Sequence, residues 1–313
     1  MRVLGVSRVL NEADIIEPFI RHHAALLDGH IVLDGGSTDE TIEILRALRE
    51  EGLELQVFET NSPIFLEMIL NTGLYRLALA AGADWVLFLD ADELLVVRGA
   101  ERADAVLALV PADIPALRLD VFRYAAPPPG DTHPLTRLTH RDQTPHMPKL
   151  AARRLDPARV AVYAGNHGAY VDGQPEPGLS QDRLLLAHLP GRSPLQRARG
   201  TILGRLKVIA SGAQSAAVFS EHLTPAFEAL KANPRAWMTQ VEAAQQSAPV
   251  QDPVRYRGGP LRYTREADDL ARLLMLFAAE GERLAQSHGD ILDRKRLIRR
   301  EMLERGSKVR LLF

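Results

Sequence analysis

The chain has no cysteine, no excess of charge of one sign and no long apolar run. Without cysteine there can be no disulfide, no thiolate metal site and no cysteine nucleophile, which suits a reducing compartment. The net charge of -2 provides no basic field for nucleic acid. No apolar stretch reaches the ~18 residues that a membrane span needs. We therefore expect a cytoplasmic protein, either free or peripheral at the inner membrane face, that binds no nucleic acid.

With 313 residues, 46% of them hydrophobic, the chain can bury a large core. Its first part alternates predicted strands at residues 3–9, 31–33, 55–58 and 85–89 with predicted helices at 13–27, 38–51 and 64–81. Ser37 and Glu40 match a capping box at the start of the second helix. The alternation favours parallel pairing through right-handed crossovers. We predict an α/β fold whose mostly parallel, Rossmann-like sheet is flanked by helices.

The pattern changes after residue 93. Further strands are predicted at 117–124, within 149–170 and at 184–189, and a proline-rich loop is predicted at 125–148. Helices are predicted at 194–210, 217–245 and 265–305, with a linker at 246–262. We expect a catalytic domain over residues 1–215. The helical region 216–313 is left open between acceptor binding, packing and oligomerisation as a homodimer.

The most informative segment is the apolar run 85–89, which leads directly into Asp90-Ala91-Asp92-Glu93. A continuous apolar run predicts a strand buried on both faces, and ligands of open α/β sheets bind beyond the carboxyl ends of such strands. Carboxylates separated by one residue suit Mg²⁺ or Mn²⁺, and a diphosphate can share that cation. Glu93 is expected to orient a neighbour. The alternative is an acidic strand end that only faces solvent.

Two other loops follow predicted strands of the same sheet. Asp34 precedes two glycines, which permit a tight turn and close approach of a ligand, so its carboxylate could accept hydrogen bonds from a nucleobase or ribose. Asn11 and Glu12 follow the first strand and could line a nucleotide pocket. The alternatives are an ordinary strand-turn-helix connection at Asp34 and a helix cap at Asn11.

These motifs, N-E, then D-G-G-S-T-D-x-T, then W-V-L-F-L-D-A-D-E, resemble the family 2 glycosyltransferases of the GT-A fold, in particular the bacterial branch with L-D-x-D-E. The resemblance covers residues 1–97, continues at Lys149-Leu150 and at 188–193, and ends near 215. It implies a nucleotide-diphosphate sugar donor, a divalent cation and a hydroxyl acceptor. By position, Asp34 would face the base or ribose, Asp90 the ribose and metal, and Asp92 would be the principal metal ligand.

The resemblance also brings in later residues. Enzymes of this fold often recruit a late histidine as a metal ligand, for which His167 and His188 are candidates, each with a structural alternative. Arg192 is either a diphosphate clamp or a solvated side chain. Inversion at the sugar needs a carboxylate base, which the family often carries in an E-D pair. That pair is missing here, and three carboxylates are left unranked as candidates: Asp142, Asp172 and Asp182.

The expected function is therefore metal-dependent, inverting sugar transfer to a glycan, lipid-linked or small-molecule acceptor, in bacterial surface glycan synthesis. The alternative is a catalytically degenerate domain that binds a nucleotide or a partner. A haloacid dehalogenase-type phosphotransferase is disfavoured because Leu94 stands where that class needs Thr or Val. A nucleotidyltransferase is disfavoured because residues 9–12 lack a glycine-rich phosphate loop.

Overall fold

The computed structural model describes residues 1–60, 62, 66–128, 130–211, 223–245, 248–265, 269–293 and 309–311. The strands are β1 (Val3–Val9), β2 (Gly29–Asp34), β3 (Leu55–Thr60), β4 (Trp85–Phe88), β5 (Glu93–Val97), β6 (Ala116–Arg123), β7 (His140–Arg141), β8 (His146–Arg153), β9 (Val160–Val162), β10 (Ala169–Val171), β11 (Gln174–Pro175), β12 (Leu179–His188), β13 (Val250–Gln251) and β14 (Val309–Leu311). The helices are α1 (Ile16–Ala24), α2 (Thr41–Glu50), α3 (Glu67–Ala80), α4 (Ala103–Leu107), α5 (Pro194–Ala210), α6 (Leu223–Ala232), α7 (Pro234–Gln245) and α8 (Asp269–Asp293).

Within these described residues, nine strands form the central sheet in the order β14-β3-β2-β1-β4-β8-β6-β12-β5. Strand β1 pairs in parallel with β2 and β4, and β2 pairs in parallel with β3, as the sequence predicts. Strands β6 and β12 share that direction, whereas β5, β8 and β14 run against it. The sheet is thus mostly parallel, and the predicted α/β fold class is confirmed.

The apolar strands are buried on both faces because helices cover the sheet on each side. Successive residues of β4 alternate between the two cores: Trp85 and Leu87 pack on one side, and Val86 and Phe88 on the other. The first core also contains residues of α1, α2 and α4, and the second contains residues of α3, β9 and β10. This double coverage explains why the run 85–89 contains no polar residue.

The start of α2 corrects one prediction. The helix begins at Thr41 and not at residue 38, and Ser37 does not cap it. The Ser37 hydroxyl instead donates to Asp34, at 2.5 Å. Asp39 accepts a hydrogen bond from the Thr41 N–H, at 3.0 Å. The predicted capping box is wrong because the Ser37 hydroxyl is hydrogen-bonded to the Asp34 carboxylate at the end of β2.

Other differences lie after residue 92. Strand β5 was not predicted, although it follows the acidic motif directly and pairs antiparallel with β12. The predicted loop 125–148 contains a 3-10 turn at Pro134–Arg137, β7 and the start of β8, and the predicted linker contains β13. The predicted helix 217–245 contains two helices, α6 and α7, and its residues 217–222 lie outside the described residues. The predicted helix 265–305 contains α8, and its residues 266–268 and 294–305 lie outside the described residues.

The C-terminal region returns to the sheet. Strand β14 pairs with β3, so residues 309–311 extend the sheet built by the first part of the chain. The division of the chain at residue 215 stays a prediction. In the described residues, no helix combines the length and apolar character needed to cross a membrane.

A buried carboxylate fastens this C-terminal region to α1. Glu17 has no exposed surface and accepts hydrogen bonds from three successive backbone N–H groups, those of Arg262, Tyr263 and Thr264, each at 2.7 Å. It also accepts from the Thr264 hydroxyl and from Arg21. Burial by itself raises the pKa of Glu17, but these hydrogen bonds hold the pKa below its ordinary value.

We expect Glu17→Gln to lower the free energy of unfolding by about 3 kcal/mol at pH 7, because the amide places a donor against buried N–H groups. A carboxylate with a lowered pKa stabilises the fold above its unfolded pKa, and that contribution is lost as the pH falls below about 4.5. The deficit should therefore shrink in urea titrations at low pH. The exposed Glu43→Gln is the control, and equal deficits in both variants would contradict the prediction.

Candidate functional site

The carboxyl edge of the sheet gathers most of the chain's motif residues. Parallel strands β1, β2, β4, β6 and β12 end at this edge, and antiparallel β5 and β8 begin there. In the strand registers, Asp34 lies opposite Val9, and His188 lies opposite Glu93. The edge therefore collects acidic and basic groups from distant parts of the sequence, namely Glu12, Asp34, Asp90, Asp92, Glu93, Lys149, His188 and Arg192.

Asp92 and His188 form the most open pair of this group. The Nε2 atom of His188 is 3.3 Å from Oδ2 of Asp92, whose side chain is 21% exposed. Burial works against both charges, yet the pKa of His188 is raised and that of Asp92 is lowered because each stabilises the charged form of the other. The predicted late histidine at position 188 thus lies beside the second acid of the motif, and both reach solvent.

Asp90 and Glu93 share one buried lysine. The Lys149 ammonium donates to the carboxylate of Asp90 and is 3.7 Å from Oε1 of Glu93. Glu93 also accepts the backbone N–H of Asp90 at 2.9 Å, so it orients its neighbour as expected. Burial raises the pKa of Glu93, whereas the two acids raise that of Lys149 against its burial. Asp90 remains 41% exposed. Lys149 was noted only within the resemblance, since no local pattern indicates its partners.

Arg192 lies at the same edge but is engaged by carboxylates. Its guanidinium donates to Glu12 and, at 2.6 Å, to Oδ2 of Asp14. Arg199 contacts the same loop through the backbone carbonyl of Asn11, at 2.7 Å, and Oε1 of Glu12, at 3.4 Å. Burial raises the pKa of Glu12, although both arginines oppose that shift. The diphosphate clamp predicted for Arg192 stays a prediction.

Asn11 and Asp34 shape the two loops that they begin. Asn11 has a positive φ of 57° and no exposed surface, and its amide atoms bind the N–H and hydroxyl of Thr38 at 2.7 and 3.0 Å. It does not cap α1, and its place in a nucleotide pocket stays a prediction. Asp34 is also buried and accepts from the N–H groups of Gly36 and Ser37. A contact of Asp34 with a base or ribose stays a prediction.

Two crevices lie at this edge of the sheet. The first, of about 280 Å³, lies at the ends of β1, β2 and β3, and we call it the β1–β3 crevice. Its lining is Arg8, Val9, Leu10, Glu12, Leu33, Gly35, Thr60, Ser62, Leu66, Glu67, Leu70 and Lys207. The second, also of about 280 Å³, lies at the ends of β6 and β12, and we call it the β6–β12 crevice. It is lined by Arg123, Tyr124, Ala126, Pro190, Gly191, Arg197 and Val241.

The remaining candidates divide by position. His167 binds the backbone carbonyl of Pro148 through Nδ1, at 3.0 Å, and does not join the Asp92–His188 pair. Asp142 accepts two hydrogen bonds from Arg123. Arg123 lies opposite His188 in the sheet, so it connects Asp142 to the carboxyl edge.

Asp172 and Asp182 lie outside this cluster. Asp172 is half exposed at the β10–β11 turn and pairs with Arg159. Asp182 is exposed on β12 six residues before His188, about 20 Å away along the strand. Neither residue contacts the described groups gathered at the carboxyl edge, and a role of either as the catalytic base stays a prediction.

The site can supply part of a cation's ligand shell. Among the described residues, no group of three acidic or histidine side chains is arranged to hold a metal ion. When an ion replaces the proton that His188 shares with Asp92, the pair offers one carboxylate oxygen and one imidazole nitrogen. Mg²⁺ and ions like it are commonly held by one or two carboxylates together with substrate phosphates and water. The residues thus fit a cation that arrives with, or is completed by, a phosphate ligand.

No family model and no curated protein matches the chain. Among solved structures, it is similar to mannosyltransferase PcManGT from Pyrobaculum calidifontis in complex with GDP-Man and Mn²⁺, with 17% identity over 78% of this chain and 79% of that chain, and a TM-score of 0.40. It is also similar to glucosyl-3-phosphoglycerate synthase from Mycobacterium tuberculosis in complex with phosphoglyceric acid, with 23% identity over 39% of this chain and 44% of that chain, and a TM-score of 0.25. These superpositions are partial, so the functional conclusion rests on the chain's own residues.

We expect Lys149→Met to lower the free energy of unfolding by about 3 kcal/mol, because it leaves Glu93 buried without its cation. Lys231→Met provides the matched control, since Lys231 forms an exposed pair with Glu228 whose loss should cost below about 1 kcal/mol. Urea unfolding monitored by circular dichroism measures both. Equal losses in the two variants would mean that Lys149 has no special role in holding the acidic cluster.

Proposed function

We propose that the protein is a glycosyltransferase that moves a sugar from a nucleoside diphosphate to a hydroxyl acceptor, with Mn²⁺ or Mg²⁺ as cofactor. One observation carries the proposal: the Asp92–His188 pair reaches solvent at the carboxyl edge of the sheet, the edge at which both crevices also lie. That edge is where open α/β sheets bind nucleotides. The motif resemblance to family 2 enzymes of the GT-A fold points to the same residues.

The charge of the cluster supports a cation. Five carboxylates face four permanent cations here, so the acids exceed them by one: Glu12, Asp14, Asp90, Asp92 and Glu93 against Lys149, Arg192, Arg199 and Arg272. The raised pKa values of Glu12 and Glu93 are consistent with burial in such surroundings. Asp92 and His188 would hold the divalent ion. When bound, it would act as a Lewis acid on the leaving diphosphate.

The two crevices suggest the two substrates. The β1–β3 crevice has an apolar wall of leucines, a glycine and polar groups at its mouth, which suits a nucleoside. The β6–β12 crevice lies beyond His188 and carries Arg123 and Arg197, so we assign it to the acceptor. A sugar held between them would lie beside Asp90 and Asp92, with its anomeric carbon exposed to the acceptor side.

Asp142 is the base that this arrangement favours. Inversion requires a carboxylate that takes the acceptor's proton on the face opposite the leaving group. Asp142 is held by Arg123, which lines the acceptor crevice. Burial raises its pKa, but the hydrogen bonds and charges of Arg123 and His146 together outweigh burial and hold the pKa below its ordinary value, so Asp142 is ionised at neutral pH. The identity of the acceptor and a role in surface glycan synthesis remain predictions.

We expect a nucleoside diphosphate to raise the melting temperature only when Mn²⁺ is also present. The reason is that Asp92 and His188 supply two ligands of the ion and the diphosphate supplies others, so the ion links the nucleotide to the protein. Asp92→Asn should weaken nucleotide binding in Mn²⁺ at least about 10-fold. A thermal-shift screen of UDP, GDP, ADP, CDP and dTDP, followed by calorimetric titration, measures both effects. Asp182→Asn is the control on a distant aspartate, and unchanged binding in Asp92→Asn would contradict the metal assignment.

We expect Asp142→Asn to reduce kcat for sugar transfer about 100-fold or more while nucleotide binding is unchanged, since the change removes only the base. Asp172→Asn should have wild-type kinetics. Release of nucleoside diphosphate from the donor by the wild-type chain distinguishes an enzyme from a degenerate binding domain. A donor that binds with Mn²⁺ but is neither transferred nor hydrolysed would favour the degenerate domain.

A further inference from the structure

Helix α8 carries a buried carboxylate that the proposed reaction does not use. Glu280 is 1% exposed, and its Oε1 atom is 2.8 Å from Nη1 of Arg283 and 3.6 Å from Nζ of Lys207. Its Oε2 atom has no hydrogen-bond partner among the described residues. A buried carboxylate is costly unless it is paired, so this position indicates a defined task.

The two cations connect Glu280 to the β1–β3 crevice. Lys207, on α5, lines the crevice and is one-fifth exposed. Arg283 donates to the backbone carbonyls of Gly35 and Gly36, at 3.3 and 3.1 Å. Gly36 has a φ of 89°, and a Cβ atom there would lie 2.3 Å from Nη2 of Arg283. The glycine pair therefore admits a side chain of the C-terminal helix at the turn that borders the crevice.

Arg8, Lys207 and Arg283 form what we call the basic wall of the β1–β3 crevice. Its charge balance is opposite to that of the acidic cluster. Arg8, Lys207 and Arg283 face two carboxylates, since Arg8 pairs with Glu67 and the other two share Glu280. The cations exceed these two acids by one, and Glu12, the other acid of the crevice lining, is paired with Arg192 and Arg199. Burial lowers the pKa of Lys207, and Arg283 and Arg8 lower it further, whereas Glu280 opposes them. A bound anion in the crevice would relieve the repulsion between these cations.

We propose that Lys207, positioned by Glu280 of α8, binds a phosphate of the donor nucleotide, so that the C-terminal helix completes the donor site. The inference rests on the proposed function. A donor diphosphate would lie between Lys207 on one side and the cation of Asp92 and His188 on the other. Ammonium groups bind phosphate as point charges. Arg283 holds the glycine turn and Glu280 in position. Neither Arg283 nor Glu280 needs to touch the ligand.

The test compares charged and uncharged probes. UDP, GDP and inorganic pyrophosphate, each with Mn²⁺, and uridine and guanosine are titrated calorimetrically against wild type, Lys207→Gln and Lys207→Arg. We expect Lys207→Gln to weaken diphosphate binding about 10-fold and leave nucleoside binding unchanged, with Lys207→Arg restoring most of the affinity. Glu280→Gln removes the carboxylate that holds Lys207 in place, so it should change diphosphate binding in wild type and have no further effect in the Lys207→Gln background. Lys231→Gln, on exposed α6, should be neutral.

The outcomes separate the two proposals. If no diphosphate probe binds the wild-type chain with Mn²⁺, the proposed function falls and this inference falls with it. If they bind wild type and Lys207→Gln equally well, only the role of Lys207 is overturned. A loss that extends to uridine or guanosine would mean a structural effect and would also overturn it. In donor kinetics, the expected signature is a raised KM at unchanged kcat, and urea midpoints confirm that each variant is folded.

Discussion

Like charges crowd the carboxyl edge of the sheet, and their repulsion is the constraint on which the rest of the site depends. Five carboxylates converge there because their strands end at the same edge. Lys149 and Arg192 each hold two of them in buried or nearly buried contacts. Without those cations, the acids would have to take up protons or move apart. The buried basic residues Lys149 and Arg192 therefore stabilise the carboxylates that the proposed chemistry needs.

Acidic and basic groups do not balance at this edge, and the sign of the excess charge differs between two regions. The acids exceed the cations around Asp92, whereas the cations exceed the acids around Lys207. Glu12 lies between the two regions, lining the β1–β3 crevice and pairing with Arg192. A metal complex of a nucleoside diphosphate has the matching arrangement, since its cation can face the acids and its free phosphate oxygens the basic wall. The two charge balances thus support one ligand class.

The C-terminal region participates in this arrangement more than its sequence suggests. Glu17 ties residues 262–264 to α1, β14 extends the sheet beside β3, and Arg283 fastens α8 to the glycine turn after β2. Each contact joins the last part of the chain to an element of the first 60 residues. The basic wall of the crevice is consequently built from helices α5 and α8 together with β1.

The local sequence was enough to determine the parallel strands, their order along the chain and the edge where the acids gather. Unbroken apolar runs permit only strands covered on both faces, and side chains after such strands must emerge at one edge. What the sequence could not determine was the pairing of groups far apart in the chain. Ser37 was expected to cap α2 but binds Asp34, and Asn11, for which the sequence left a pocket and a helix cap open, holds Thr38. Lys149, His188 and Glu280 pair with Asp90, Asp92 and Lys207, which lie 59, 96 and 73 residues away. The sequence does not indicate these pairs because hydrogen bonds and charge pairs act through space and leave no period in the chain.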